Sequence, residues 1–525
     1  MHSPNRIEVT IDDALQNSVG ECGRGQLHAL GLANIATVVA ALINFSFVFT
    51  GIDPFRSSQS ECLPGTQESC DPAKTRLCAA PRETWDWKYR DHSTASEWDL
   101  ICGDTWKLQL VNSGFFLGAL CGLILFQQVA EELGRRRTLG VASALAALCG
   151  MCSALAYSFW WYLAFRIFTG ATVAGVIAAS FLLSVEPVGP NYRGTAILST
   201  GVASSLGACL LSLFAWLLHS WRLLTFVTSA ILALAVSFVV PVLQESPRWL
   251  LNIGRKGDAT AALAAIASRN RAHLPEAPLA DASAAVAAQR GLADVLSSAR
   301  LRRRFALIMA MWCCAYLMYY GVTLEISSMS GNVYLNQFLG FVVEAPAILG
   351  TILAIGRMGR RSIAAALLLE GGVACVLCGV LWDDFQVALA VACKAGISAM
   401  LALCPLYTEE LFPSNLQLAV LQACRLAGGV GAVAAPWVVY LGQKTGASFV
   451  PFVIFGSLNI MAGIATPALP ETLGVPAAAT VQELSSPVRQ YKMMSLRHMF
   501  RTRGSGPGNL QKAFFRNCDT DGDLA

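Results

Sequence analysis

The chain has 525 residues, 55% of them hydrophobic and 14% charged, with a mean hydropathy of +0.52. A soluble domain carries about 25% charged residues, so this composition excludes an ordinary soluble protein. The formal net charge of +4 is small; no nucleic-acid partner is expected.

Residues 1–26 are polar and charged, so no cleavable signal peptide precedes the first apolar run. Twelve apolar runs follow, at about 27–50, 108–130, 138–157, 159–184, 194–218, 221–243, 304–322, 333–355, 362–383, 386–407, 418–441 and 448–469. Each is long enough to cross a bilayer as a helix. The expected fold is an all-α membrane protein with the lipid bilayer as its solvent.

Lys and Arg in short loops set orientation. Arg135, Arg136 and Arg137 follow the second run, Arg357, Arg360 and Arg361 follow the eighth, and Arg300, Arg302, Arg303 and Arg304 close the segment 244–303. The loops after the third, seventh and ninth runs carry none. Both termini and the central segment are therefore expected in the cytosol. The chain divides into a cytosolic segment 1–26, a six-helix half 27–243, a central loop 244–303, a second half 304–470 and a basic, flexible tail 471–525. Ala-rich stretches at 258–267 and 282–298 predict short helices in the central loop. Residues 51–107 form an outside loop with Cys62, Cys70, Cys78 and Cys102. An exoplasmic site permits two disulfides, and four cysteines allow three pairings.

Three motifs recur at nearly one spacing. Gly134 of "ELGRRR" and Gly359 of "GRMGRR" are 225 positions apart, Glu186 and Glu410 224, and Glu245 and Glu471 226. The constant offset predicts two six-helix pseudo-repeats related by an axis along the membrane normal, a transporter architecture.

The Gly-Arg-Arg turns, "RIFTG" beginning at Arg166, and "ESPRWLL" from Glu245 through Arg248 resemble the major facilitator superfamily. "IDDALQNSVGECGRGQ" (11–26), "SEWDLICGD" (96–104), "GNVYLN" (331–336), "VEAPA" (343–347) and "YTEELFPS" (407–414) resemble its organic cation, carnitine and organic anion transporter family. "WLLNIGRKGDATAALAAIASRN" is most similar to the plant-type members. The resemblance implies alternating-access transport of a small organic ion by a monomeric unit, in the plasma membrane rather than an internal one. It implies no enzyme activity, cofactor or metal. The alternative is a non-transporting receptor or scaffold derived from this family.

The family's cytosolic charges imply a lock made of Glu131, Gly134, Arg135, Arg136, Arg166, Glu186, Arg193, Glu245, Arg248, Gly359, Arg360 and Glu410. The sequence departs from the pattern. Gln127 replaces the first glycine, Glu132 reverses a usual positive charge, Gly356 stands where an acid belongs and Gln417 where Arg belongs. A weakened or substituted lock is expected.

Charged residues inside the apolar runs need a reason, because Arg or Lys at a helix centre costs about 2.5–3.5 kcal/mol on insertion scales. Arg425 matches a position where anion and carnitine transporters often carry Arg. It is expected either to grip a substrate carboxylate through two N–H donors or to pair with Glu344. Glu344 is a candidate for cation contact, and Lys394 for substrate contact or a counter-ion role. Tyr319 and Tyr320 are candidates for an aromatic wall, which suits an ammonium group; plain packing is the competing expectation. Glu370 has no assigned role. Trp160 and Trp161 read as an interfacial belt, and Gly428 and Gly431 as helix-packing positions. No G-x-x-x-x-G-K-[ST] motif occurs, and the sequence sets no coupling ion. Asn517, Asp519, Asp521 and Gly522 begin like a calcium loop, but the chain ends before its final Glu.

Overall fold

The first apolar run becomes α1 (Arg24–Asn44), continued after a kink by a short helix, Phe47–Thr50. At the kink the Ser46 hydroxyl donates to the Ile43 carbonyl at 2.8 Å. The computed structural model describes residues 9–52, 60–62, 78, 85–275, 277–280, 292–355, 357–381, 385–413 and 416–473. The expectations for Cys70, Gly356, the stretch 282–291 and the tail beyond Leu473 lie outside these residues, as does the side chain of Cys62.

Five further helices complete the first half: α2 (Trp106–Leu133), α3 (Arg135–Ala154), α4 (Phe159–Val185), α5 (Arg193–Leu218) and α6 (Trp221–Val242). The second half contains α7 (Ala299–Ile326), α8 in two pieces (Val333–Val342 and Glu344–Ile355), α9 (Arg360–Val380), α10 (Gln386–Leu411), α11 (Gln417–Thr445) and α12 (Phe449–Ala465). All twelve are long and apolar enough to cross a membrane. α7 starts earlier than the apolar run alone predicts. Its arginines are good helix formers, so the helix begins before the apolar run. α8 breaks at Val343 because Pro346 has no N–H for the Val342 carbonyl. The break places Glu344 at the start of a new helical piece.

Small residues decide how closely the helices approach. A Cβ on Gly118 or Gly122 of α2 would run into the Ile167 or Ala171 carbonyl of α4, and one on Gly170 into the Phe115 carbonyl. Gln127 is therefore tolerated: the close approach is made earlier in α2, by Gly118 and Gly122. In α11, Gly428 lies against the Tyr316 ring and Gly431 against the Cys313 backbone of α7.

The halves meet along α2 with α11 and along α5 with α8. One face of the bundle carries the N-terminal segment and a helix, Lys256–Asn270, and is called the terminal face. Asn270 ties these parts together, accepting from the Gly25 amide at 2.7 Å and donating to the Val19 carbonyl at 2.9 Å. The opposite, loop face carries a two-stranded pairing of β1 (Ser60–Cys62) with β2 (Trp85–Trp87) and a Cys78–Cys102 disulfide. Trp160 and Trp161 are exposed at that end of α4.

Candidate functional site

A cavity of about 300 Å³ lies between the halves. Its wall includes Asn44 and Phe45 from α1 and its kink, Phe116 from α2, Phe181 from α4, Ser205 from α5, and Trp312, Tyr316, Tyr319 and Tyr320 from α7. Glu344 from α8, Ser398 from α10 and Arg425 from α11 complete the polar lining. The α4 and α5 residues in the wall lie in the terminal-side halves of their helices. On the loop side the halves are closed by rings: Phe45 packs against Tyr319 and Phe341, Phe47 against Tyr320, and Phe49 stacks on Tyr334. The Ser113 hydroxyl of α2 adds a bond across the halves to the Val433 carbonyl at 2.9 Å.

Two of the intramembrane charges neutralise each other. Lys394 Nζ is 2.8 Å from Glu344 Oε1, and both side chains are buried. Glu344 also accepts from Tyr319 Oη at 3.0 Å and Ser205 Oγ at 2.8 Å. Lys394 donates to Thr323 Oγ1 at 2.8 Å and sits 3.6 Å above the Tyr319 ring centre. Burial of a pair is tolerable when its remaining donors and acceptors are satisfied, and here they are. Lys394 thus takes the counter-ion role. Glu344 is not the partner of Arg425.

Arg425 makes no ion pair among the described residues. Its guanidinium lies 4.5 Å from the Phe181 ring centre, across the boundary between the halves. Glu409 and the Tyr316 hydroxyl are its electrostatic neighbours. An acid paired with Lys394 and a guanidinium without an ion pair among the described residues therefore face the same cavity.

Comparison with known proteins identifies the family. A family model described as "Sugar (and other) transporter" matches residues 74–479. The "Organic cation/carnitine transporter 4" of Arabidopsis thaliana is 31% identical, covering 90% of each chain. The "Solute carrier family 22 member 15-like" protein of Xenopus laevis is 33% identical over 90% of this chain and 96% of its own. The chain belongs to this transporter family. Among solved structures, the proton:xylose symporter XylE of the major facilitator superfamily superposes with a TM-score of 0.60 at 15% identity, covering 88% of this chain and 100% of that one.

The major facilitator repeat is visible in the charges of the terminal face. Arg135 Nε pairs with Glu186 Oε1 at 3.1 Å, and Arg360 Nε with Glu410 at 3.1 Å. Glu245 caps α3 by accepting from the Arg135 and Arg136 amides at 2.9 and 3.1 Å. Its counterpart Glu471 lies against Gly359 and 3.9 Å from Arg361. Gly134 has φ +94°, which favours glycine, and a Cβ there would also crowd Glu245 and Trp249. Gly359 has an ordinary φ of −65°; there a Cβ would collide with the Glu471 carboxylate.

The remaining lock candidates are placed differently. Asp12 accepts from Arg193 at 2.7 Å and from Arg248, and Arg248 also donates to the Glu186 carbonyl at 2.8 Å. Burial pushes the Asp12 carboxyl upward, but the two guanidiniums outweigh it and hold it below its ordinary value. These pairs join residues of one half to each other or to the N-terminal segment. Glu131 is exposed, accepts from Gln127 Nε2 at 3.1 Å and makes no ion pair among the described residues. Gln417 turns its amide to the Glu409 carbonyl at 2.7 Å. Arg166 lies away from this cluster, near the loop-side end of α4. It is fully buried there, donating to Ser46 Oγ at 3.1 Å with its guanidinium 4.7 Å from the Phe115 ring centre.

The sequence reading missed Trp312, Tyr316 and Phe181. A signal existed for the first two: 312, 316 and 319/320 recur at helical spacing on one face of α7. Phe181 had none, because its relation to Arg425 exists only once α4 and α11 meet.

Proposed function

We propose that this transporter carries a small organic anion or a zwitterion with a carboxylate, and that Arg425 holds the carboxylate. The observation that supports this most is the charge arrangement of the cavity: Glu344 is neutralised by Lys394, whereas Arg425 makes no ion pair among the described residues. Guanidinium binds carboxylate through two parallel N–H donors. The rings of Phe116, Tyr316 and Tyr320 pack as neighbours in the wall, with centroids 4.4 Å apart for Phe116 and Tyr320 and 6.0 Å for Tyr316 and Tyr320. Such faces stabilise an ammonium group. A substrate bearing both groups, as the carnitine in the Arabidopsis relative's name does, fits better than a simple cation.

The mechanism that follows is alternating access. With the loop side closed by aromatic rings and the wall on the terminal side of α4 and α5, this arrangement corresponds to the inward-facing state if the terminal face is cytosolic. The arginine-rich loops support that orientation by the positive-inside rule. Substrate would then leave toward the cytosol, and the outward state would form when the rings part. A monomeric unit in the plasma membrane is the associated reading.

Uptake into proteoliposomes decides the class. A panel of monocarboxylates, quaternary-ammonium carboxylates and permanent cations should give saturable flux for the first two groups. Flux confined to the cations would overturn the anion assignment. No saturable flux with any member would favour the receptor.

A further inference from the structure

A second cavity, of about 760 Å³, lies between α5 and α8, where the halves touch on their loop-side part. Leu206, Cys209, Leu213 and Trp216 form one wall, and Phe338 and Val342 belong to the other. We propose that this groove is a binding site for the acyl chain of a phospholipid from the loop-face leaflet, and that the chain is a state-selective ligand of the transporter.

Depth and polarity identify the occupant. The α5 wall runs from Val202 to Trp216, about 21 Å at 1.5 Å per residue, enough for one leaflet of a hydrocarbon core about 30 Å thick. Leu206, Leu213, Leu335 and Val342 on its rim are exposed, so the groove opens outward to the lipid-facing surface rather than to the substrate path. Water needs two to four polar partners in such a space. The two serine hydroxyls here are turned inward: Ser212 bonds the Ala208 carbonyl at 3.2 Å, and Ser205 bonds Gly201 and Glu344. An unfilled apolar void is also unfavourable. At the loop end, Trp216 and Tyr334 border the groove and His219 meets the Tyr334 ring, a belt of the kind that sits at headgroup level.

State selection follows from the walls. α5 belongs to the first half and α8 to the second, so rocking the halves changes the width of the groove. Its inner end touches the transport site. Ser205 lines both cavities and bonds Glu344, and the Phe341 ring lies 5.1 Å from Lys394 Nζ. A chain held there favours whichever arrangement of the halves leaves room for it.

The test is photolabelling of the full chain in proteoliposomes that contain phosphatidylcholine with a diazirine in its acyl chain. Peptide mapping should find labelling of 202–216 and 332–345 at least fivefold above that of the lipid-facing surface of α6 around Leu234 and Phe238. Cys209→Phe fills the groove and should return labelling to the α6 level, and Leu213→Trp serves as a second filling variant should the first fail to fold. Groove labelling no higher than that of α6, or unchanged labelling in a folded filling variant, would overturn the proposal. So would loss of labelling on adding an organic-ion substrate with the halves held in one state, which would make the groove part of the substrate path.

Discussion

Lys394 Nζ lies 2.8 Å from Glu344 Oε1 in a buried pair that joins α10 to α8. The pair sets the electrostatics of the cavity. It takes up the acid that was one candidate to balance Arg425, whose guanidinium makes no ion pair among the described residues. Breaking a buried pair by deleting one partner costs about 3–5 kcal/mol, because the other charge stays buried. Glu344→Gln and Lys394→Met should each lower the thermal unfolding temperature in detergent. The double variant should unfold above either single one. Equal or additive losses would show that the two residues are not coupled.

Arg425→Gln keeps some hydrogen bonding and removes the charge. A charge-assisted bond is worth about 1.5–3 kcal/mol, so carboxylate affinity should fall roughly 10- to 150-fold. Arg425→Lys should restore part of it, since an ammonium lacks the planar fork. Adding Glu344→Gln to Arg425→Gln should not restore transport, because Lys394 is the partner of Glu344. Unchanged uptake of every carboxylate by well-folded Arg425→Gln would sink the assignment.

The twelve helices were legible because a bilayer demands long apolar runs, and the repeat because Gly134, Glu186 and Glu245 each have a partner some 225 positions on. The Glu344–Lys394 pair was not. Fifty residues separate the two, and the pairing depends on how α8, broken by Pro346, meets α10. Arg166 shows the opposite failure: a family motif named the residue, but its position fifteen residues before Phe181 in α4 puts it near the far end of the helix from the terminal-face charges. The α2–α4 packing was legible in part. Gln127 stood out as a departure from the glycine pattern, but Gly118 and Gly122, which make the close approach about two and a half and one and a half turns earlier, went unremarked among 44 glycines.

The Cys78–Cys102 bridge closes a loop with a sequence separation of 24. On the chain-entropy relation such a loop contributes about 3.5 kcal/mol. Non-reducing peptide mapping should recover Cys78 and Cys102 in one linked fragment. Cys102→Ser should lower the unfolding temperature of oxidised protein and leave reduced protein nearly unchanged. Free alkylation of both thiols in protein taken from an oxidising membrane would exclude the bridge.

Asp12 gives a pH-dependent test of the terminal face. Its carboxylate binds Arg193 of α5 and Arg248 of the "ESPRWLL" segment together, so it ties the N-terminal segment to two parts of the first half. Because the folded carboxyl is held below its ordinary value near 3.8, the ionised form is favoured by folding. The sign is fixed: the contribution is fully present above 3.8 and disappears as pH falls through the lowered folded value. Asp12 is partly exposed, and each such pair is worth about 0–1 kcal/mol. Asp12→Asn should therefore reduce hydrogen-exchange protection of the amides of residues 11–19 by up to about fivefold at pH 7, without unfolding the bundle. In thermal denaturation, the small difference between the wild type and Asp12→Asn should stay level from pH 7 down to just above 3.8 and close below it. A difference that widens on acidification has the wrong sign for a stabilised carboxylate. It would mean that Arg193 and Arg248 are held by other groups.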